Sequence, residues 1–274
     1  KEIPYWEEVE SMKVPSLPKD GREDGSGGKM IELSFSLTKE ETHQLLTEAH
    51  RAYQTEINDL LLAALALTVR EWTGKNRLAV SLEGHGREDL VEGADLSRTV
   101  GWFTSMFPVV FDVSSSDLGR TVKEVKETLR KVPHKGAGYG VLRYLNPAVQ
   151  DKKRHTLKPE ISFNYLGQFE YGNRGQYPIM PMGEPVSLEN KHGTGIEITA
   201  IVADGILQLN LTFHSIQYDA GTMEGLLDQY KTLLLQICDH CVGKEVSERT
   251  PSDFSMRELT QADLDDVFDA LKSI

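Results

Sequence analysis

The dipeptide Asp204-Gly205 divides two apolar-rich runs, Ile196–Ala203 and Ile206–His214. Asp-Gly adopts at little cost the left-handed backbone conformations that a two-residue hairpin turn needs, and this is the strongest such signal in the chain. The sequence therefore commits to an antiparallel strand pair, which needs an apolar layer to cover it. The segment from about Thr55 to Trp72 suits that task. Ile57, Leu60, Leu61, Leu62, Leu65, Leu67 and Val69 make it apolar on most sides, so it reads as a buried central helix ended by Gly74.

Further elements fit the same plan. Between Lys29 and Leu37, the residues Ile31, Leu33, Phe35 and Leu37 alternate with polar neighbours, the period of a half-buried strand. Thr38 with Glu41 three residues later forms a capping box and predicts a helix to about Tyr53. Leu78 to Leu82 is a short apolar strand, and Val100 to Val113 reads as a strand interrupted at Pro108. Asp117 to Lys131 is an amphipathic helix stopped by Pro133. The glycine-rich HKGAGYG, His134 to Gly140, lacks the spacing of a nucleotide loop and reads as a tight turn. Glu160 to Leu166 is a strand ending at Gly167, Thr222 to Val242 a long helix, and Thr260 with Asp263 caps a short acidic helix to Leu271. Strands and helices mix without strict alternation and without an internal repeat. The expected fold class is α+β, one mixed β-sheet with helices packed mainly on one face.

Several function classes are disfavoured at this point. A net charge of −12 leaves no basic stripe for nucleic acid, and no apolar run approaches the roughly 18 residues of a membrane span. The polar, acidic amino terminus does not resemble a signal peptide. Cys238 and Cys241 flank His240 in a helical stretch with no second pair of ligands, so no metal site is expected, and a reduced cytoplasmic setting fits.

The stretch SLEGHGRE, Ser81 to Glu88, carries the chemistry. An acid leaving an apolar strand for a glycine-hinged loop can sit half buried, where desolvation lifts its pKa toward the range useful for proton transfer. Glu83 is therefore a candidate general acid/base. Arg87, four residues on, can pair with that carboxylate, steer a substrate or stay solvated. His85 lies between two glycines, which points to turn geometry more than to a proton role. Asn164 and Tyr165 close a strand, and neighbouring strand residues point to opposite faces unless the strand twists or bulges. Trp102 and Phe103 read as lining or underlying a cleft, with plain core packing equally open.

Four phrases, EGHGRE (Glu83 to Glu88), RTVGWFTSMFP (Arg98 to Pro108), KGAGYG (Lys135 to Gly140) and FNYLGQF (Phe163 to Phe169), together resemble the epimerization domain of nonribosomal peptide synthetases. That domain is a relative of the condensation domain in the chloramphenicol-acetyltransferase-like superfamily. The resemblance implies inversion at Cα of an aminoacyl or peptidyl thioester carried on the 4′-phosphopantetheine of an upstream peptidyl carrier protein, with no cofactor of the domain's own. It implies catalytic roles for Glu83, Tyr165 and Asn164, the tyrosine near the thioester carbonyl. It places Arg87, His85, Trp102 and Phe103 around the substrate.

Family members also carry a His-His-x-x-x-Asp-Gly motif in an amino-terminal lobe, and no His-His pair occurs in this chain. Tyr5-Trp6 resembles a point beyond that motif. The expectation is a carboxy-terminal lobe alone, one half of a V-shaped two-lobed domain: residues 1–28 a linker between lobes with little to pack, 29–250 the lobe, and 251–274 a tail helix. The missing lobe is then a required partner, a downstream synthetase a further one, and neither nucleic acid nor membrane is involved. Two other functions stay open: a condensation domain, and a non-catalytic lobe that docks carrier proteins.

Overall fold

A computed structural model describes residues 2–21, 28–88, 93, 95–96, 98–145, 157–170, 195–254, 260–261 and 263–264. Its elements in chain order are α1 (Ile3–Ser11), β1 (Met30–Ser36), α2 (Lys39–His43), α3 (Ile57–Thr73), β2 (Arg77–Gly84), β3 (Ser105–Asp112), α4 (Leu118–Lys131), α5 (Ala137–Leu145), β4 (Ile161–Phe169), β5 (Ile196–Ala203), β6 (Ile206–His214) and α6 (Ala220–Val242). The strands form one six-stranded sheet in the order β1-β6-β5-β4-β2-β3. Pairs β1–β6, β5–β6 and β2–β3 are antiparallel, whereas β4 runs parallel to both β2 and β5. The sheet is mixed and the fold α+β, as the pattern of elements predicts.

The hairpin forms as its turn chemistry requires. Asp204 and Gly205 have φ of 49° and 79°, and Ala203 pairs directly with Ile206. Along β5 buried and half-buried residues alternate without a break, so Ile196, Ile198, Ala200 and Val202 face the helices and Glu197, Thr199 and Ile201 face the opposite way. The register extends both faces across the sheet, with Val80 and Leu82 of β2 beside Ile161 and Phe163 of β4 on the helical side. Against that side lies α3, buried from Asp59 to Val69 and ended by Gly74 at φ 66°. The opposite face is polar over its middle, carrying Ser81, Glu83, Ser162, Asn164, Glu197, Thr199 and Asn210.

Two buried ion pairs tie α4 into this core. Asp59, fully buried at the start of α3, accepts from Arg130 Nη1 at 3.1 Å and Nη2 at 2.8 Å. Burial raises the Asp59 pKa and the guanidinium opposes that rise. Lys126, also buried, places Nζ 2.6 and 2.7 Å from the Asp253 carboxylate and 2.7 Å from the Tyr53 carbonyl. The Pro251–Asp253 turn is thereby anchored to α4.

Several local expectations change. The opening residues pack more than their composition suggests, because Trp6, Val9 and Leu17 are buried. Trp6 sits 4.8 Å from the Tyr139 ring and 6.4 Å from Phe107, centroid to centroid. The Thr38–Glu41 capping box is present, but the helix it starts loosens to a π turn at Gln44–Glu48 and tightens to a 3₁₀ turn at Ala49–Arg51. In HKGAGYG the turn is confined to His134, Lys135 and Gly136, all at positive φ, and α5 begins at Ala137. The strand expected from Val100 begins at Ser105, and Pro108 lies inside it. β3 is a sheet edge, where a proline's missing N–H can face away from the ladder. Thr260 and Asp263 bond reciprocally as a helix start, while most of the tail helix lies outside the described residues. Cys238 and Cys241 are buried in α6, where burial pushes their thiols up to about 11 and about 12. Among the described residues no group of three or more His, Cys, Asp or Glu side chains could hold a metal ion, and no helix is long and apolar enough to cross a membrane.

Candidate active site

Glu83 is the last side-chain-bearing residue of β2, opposite Met106 of β3. On its other side β2 runs parallel to β4 with Leu82 level with Phe163, so the next residues on the open face are Glu83 and Asn164. Asn164 Nδ2 donates to Glu83 Oε2 at 2.7 Å. One strand further, Glu197 of β5 stands level with Ser162 on the same face. The Glu83 side chain is solvent-accessible, yet loss of hydration against the sheet raises its pKa and the Glu197 carboxylate raises it further. The Asn164 donor favours the ionised form and works against both. The result is a carboxylate that takes up a proton more readily than an ordinary glutamate and is held by an amide.

Tyr165 lies on the other side of the sheet. It pairs with Ala200, a fully buried helix-facing residue, and packs partly against the core. The pairing is irregular only beyond Tyr165, between it and Gln168, so the bulge comes too late to bring the tyrosine round to Glu83. Its hydroxyl is shut off from solvent with no partner in hydrogen-bond geometry, although the Gln168 amide lies near enough to oppose the pKa rise that burial causes. Asn164 and Glu83 therefore share a face, and Tyr165 does not.

The loop after Glu83 is built by its own residues. Arg87 does not pair with Glu83. Its guanidinium donates to the carbonyls of Leu96 at 2.5 Å, Thr99 at 2.9 Å and Gly101 at 3.4 Å, with its carbon 4.3 Å from the centre of the Phe103 ring. Arg87 thus fastens the far end of the loop to its beginning. Gly86 has φ 65°, and a β-carbon there would lie 1.6 Å from the Phe103 carbonyl oxygen, so only glycine lets the two segments touch. His85 Nδ1 accepts from the Arg87 backbone N–H at 3.0 Å, which leaves the ring proton on Nε2, 3.0 Å from Glu88 Oε1. Both ring nitrogens are used inside the loop, as the turn reading of His85 anticipates. Phe103 is half buried beneath Arg87, whereas Trp102 is 92% exposed, so core packing does not describe it.

Glu197 is the member of the site that motif reading misses. Its signal is its place in the alternation of Ile196–Ala203, on the polar face and level with the FNYLG strand.

Residues 1–260 match the family described as Condensation domain. Among curated proteins, surfactin synthase subunit 1 of Bacillus subtilis (strain 168) is 44% identical over 275 residues, covering 97% of this chain and 8% of the relative. The chain thus spans less than a tenth of that relative's length. Among solved structures, the epimerization domain from the third module of tyrocidine synthetase B superposes with a TM-score of 0.82 at 40% identity, covering 89% of this chain and 56% of that one. The condensation domain from Monacolin K polyketide synthase superposes with a TM-score of 0.61 at 17% identity, covering 88% of this chain and 57% of its own, a likeness of fold alone.

Proposed function

The chain belongs to the condensation-domain family, and on that premise we propose that it is the carboxy-terminal lobe of an epimerization domain of a nonribosomal peptide synthetase. It inverts the α-carbon of an aminoacyl or peptidyl group held as a thioester on the 4′-phosphopantetheine of a carrier protein. The observation that carries this reading is the Glu83 carboxylate, placed on a polar sheet face with a raised pKa and hydrogen-bonded by Asn164. The 40% identity with an epimerization domain supports it.

Inversion requires that the Cα proton leave from one face and another arrive from the opposite one. In one direction ionised Glu83 takes the proton, and the C–H electron pair moves into the thioester carbonyl to give an enolate. A group on the other side then protonates the same carbon. In the return direction protonated Glu83 supplies the proton. A raised pKa suits both duties because neither form of the carboxyl is too far from populated. Asn164 orients the carboxylate. The opposing acid/base belongs to the amino-terminal lobe, so activity requires that lobe, with residues 1–28 joining the two and 251–274 forming a tail. Tyr165 packs on the far side of β4 and supports the strand that carries Asn164.

The name of the matching family keeps amide formation as the second reading. An L-aminoacyl carrier incubated with this chain and the amino-terminal lobe separates the two. Appearance of the D-aminoacyl carrier supports epimerization. A new amide on an acceptor carrier, with the L configuration retained, overturns it.

A further inference from the structure

Glu88 joins two phrases that the sequence presents separately. Its Oε1 is 3.0 Å from His85 Nε2 and its Oε2 is 3.7 Å from Lys135 Nζ. The glutamate side chain is 17% exposed while its partners are 63% and 69% exposed, so the carboxylate is the packed member of the trio. His85 is poised to donate, because its Nδ1 already accepts from the Arg87 N–H.

Lys135 lies in a turn that needs holding. His134 and Lys135 have φ of 44° and 48°, a conformation that side-chain-bearing residues adopt only when their surroundings enforce it. This turn abuts the end of β2. The Lys135 carbonyl oxygen is 3.5 Å from where a side chain on Gly84 would begin, and a β-carbon on Gly136 would lie 2.0 Å from the Phe107 ring. Phe107 is itself the β3 partner of Leu82. The path from Gly84 through His85 to Glu88 and across to Lys135 returns beside Gly84, the residue that follows Glu83.

From this geometry we infer that Glu88 is a positioning residue, a clamp between the loop after β2 and the turn before α5 that fixes the direction in which Glu83 leaves its strand. The inference rests on the reading of Glu83 as the acid/base, but it concerns the geometry of this chain and can be read without turnover. The charged group facing Glu83 from the next strands is Glu197, and those facing Glu88 are His85 and Lys135. Release of the clamp lets Glu83 turn away from the sheet into solvent.

The test is a pH titration of the Glu83 side-chain carboxyl by ¹³C NMR on the full chain, with the resonance assigned through Glu83→Gln. Glu88→Ala is expected to lower the Glu83 pKa toward that of an ordinary glutamate. Glu88→Gln, which keeps an acceptor for His85 but loses the charge facing Lys135, should fall between. Lys135→Met removes only the exposed half of the clamp, so it tests the same link without risk to folding and should move Glu83 in the same direction. An unchanged Glu83 titration in Glu88→Ala and Lys135→Met overturns the inference. With the amino-terminal lobe present, Glu88→Ala should reduce kcat for Cα exchange about tenfold with KM for the carrier unchanged. If the wild-type pair shows no exchange at all, the functional reading fails while the titration still decides the clamp.

Discussion

Asn164 Nδ2 donates to Glu83 Oε2 across 2.7 Å, from a strand that runs parallel to the one carrying the glutamate. Parallel pairing makes this contact possible, because it sets the carboxyl ends of β2 and β4 side by side and aims both side chains at the same face. Asn164→Leu keeps the approximate shape and removes the donor. The Glu83 pKa should then rise further, since the lost bond favoured the ionised form. Cα exchange with the complementary lobe should fall about tenfold, the worth of one hydrogen bond to a charged group. Paired NMR titration and exchange rates check both.

Glu83 is held at a cost to stability at neutral pH. Its folded-state pKa lies above the ordinary 4.5, so the folded chain binds this proton more tightly than the unfolded chain. The associated stabilisation is complete below pH 4.5 and is lost as pH rises through the folded pKa. Glu83→Gln cannot lose that proton, so its stability relative to wild type should improve as pH rises from 4 to 8. Solvent screening keeps the gain below about 1 kcal/mol. Urea unfolding at a series of pH values reads the trend, and a relative loss for Glu83→Gln over that range would contradict it.

Tyr165→Phe isolates the buried hydroxyl that has no partner. Removing an unsatisfied polar group leaves stability unchanged or raises it by up to about 1 kcal/mol. Because the hydroxyl lies on the face away from Glu83, the phenylalanine chain should exchange Cα protons at the wild-type rate, and a several-fold slowing would instead assign the hydroxyl to the reaction. Thermal denaturation and exchange rates on one preparation distinguish the outcomes.

Arg87→Ala should loosen the loop without removing a partner from Glu83. The guanidinium bonds to the carbonyls of Leu96, Thr99 and Gly101 and covers the Phe103 ring. Amide hydrogen exchange should therefore speed up at Leu96–Phe103, and Arg87→Lys should protect only partly, because an ammonium cannot reproduce the fork. Unchanged protection in Arg87→Ala would mean that the loop is held by other contacts.

What the sequence makes legible is local chemistry. Asp204-Gly205 and the Thr38–Glu41 box each carry their geometry within a few residues, and each forms. The prediction that Asn164 and Tyr165 cannot both face one cleft follows from strand alternation alone, and their opposite placement agrees with it. What it does not make legible depends on distant partners. α1 packs because Trp6 meets Tyr139 and because buried Glu10 accepts from Leu157 N–H, a contact 147 residues away. The glycines of HKGAGYG announce a tight turn, but not that His134 and Lys135 themselves take the left-handed conformation, which distant packing enforces. The place of Glu197 is not legible because nothing in a strand's own sequence tells which neighbour its polar face will meet.

The most direct measurement is deuterium incorporation at Cα of an L-aminoacyl carrier thioester in heavy water, with this chain, its Glu83→Gln variant, and each in the presence and absence of the amino-terminal lobe. The role of Glu83 as acid/base requires incorporation with both lobes and wild-type Glu83, and none above background when either is missing. Incorporation that persists in Glu83→Gln at the wild-type rate would contradict it.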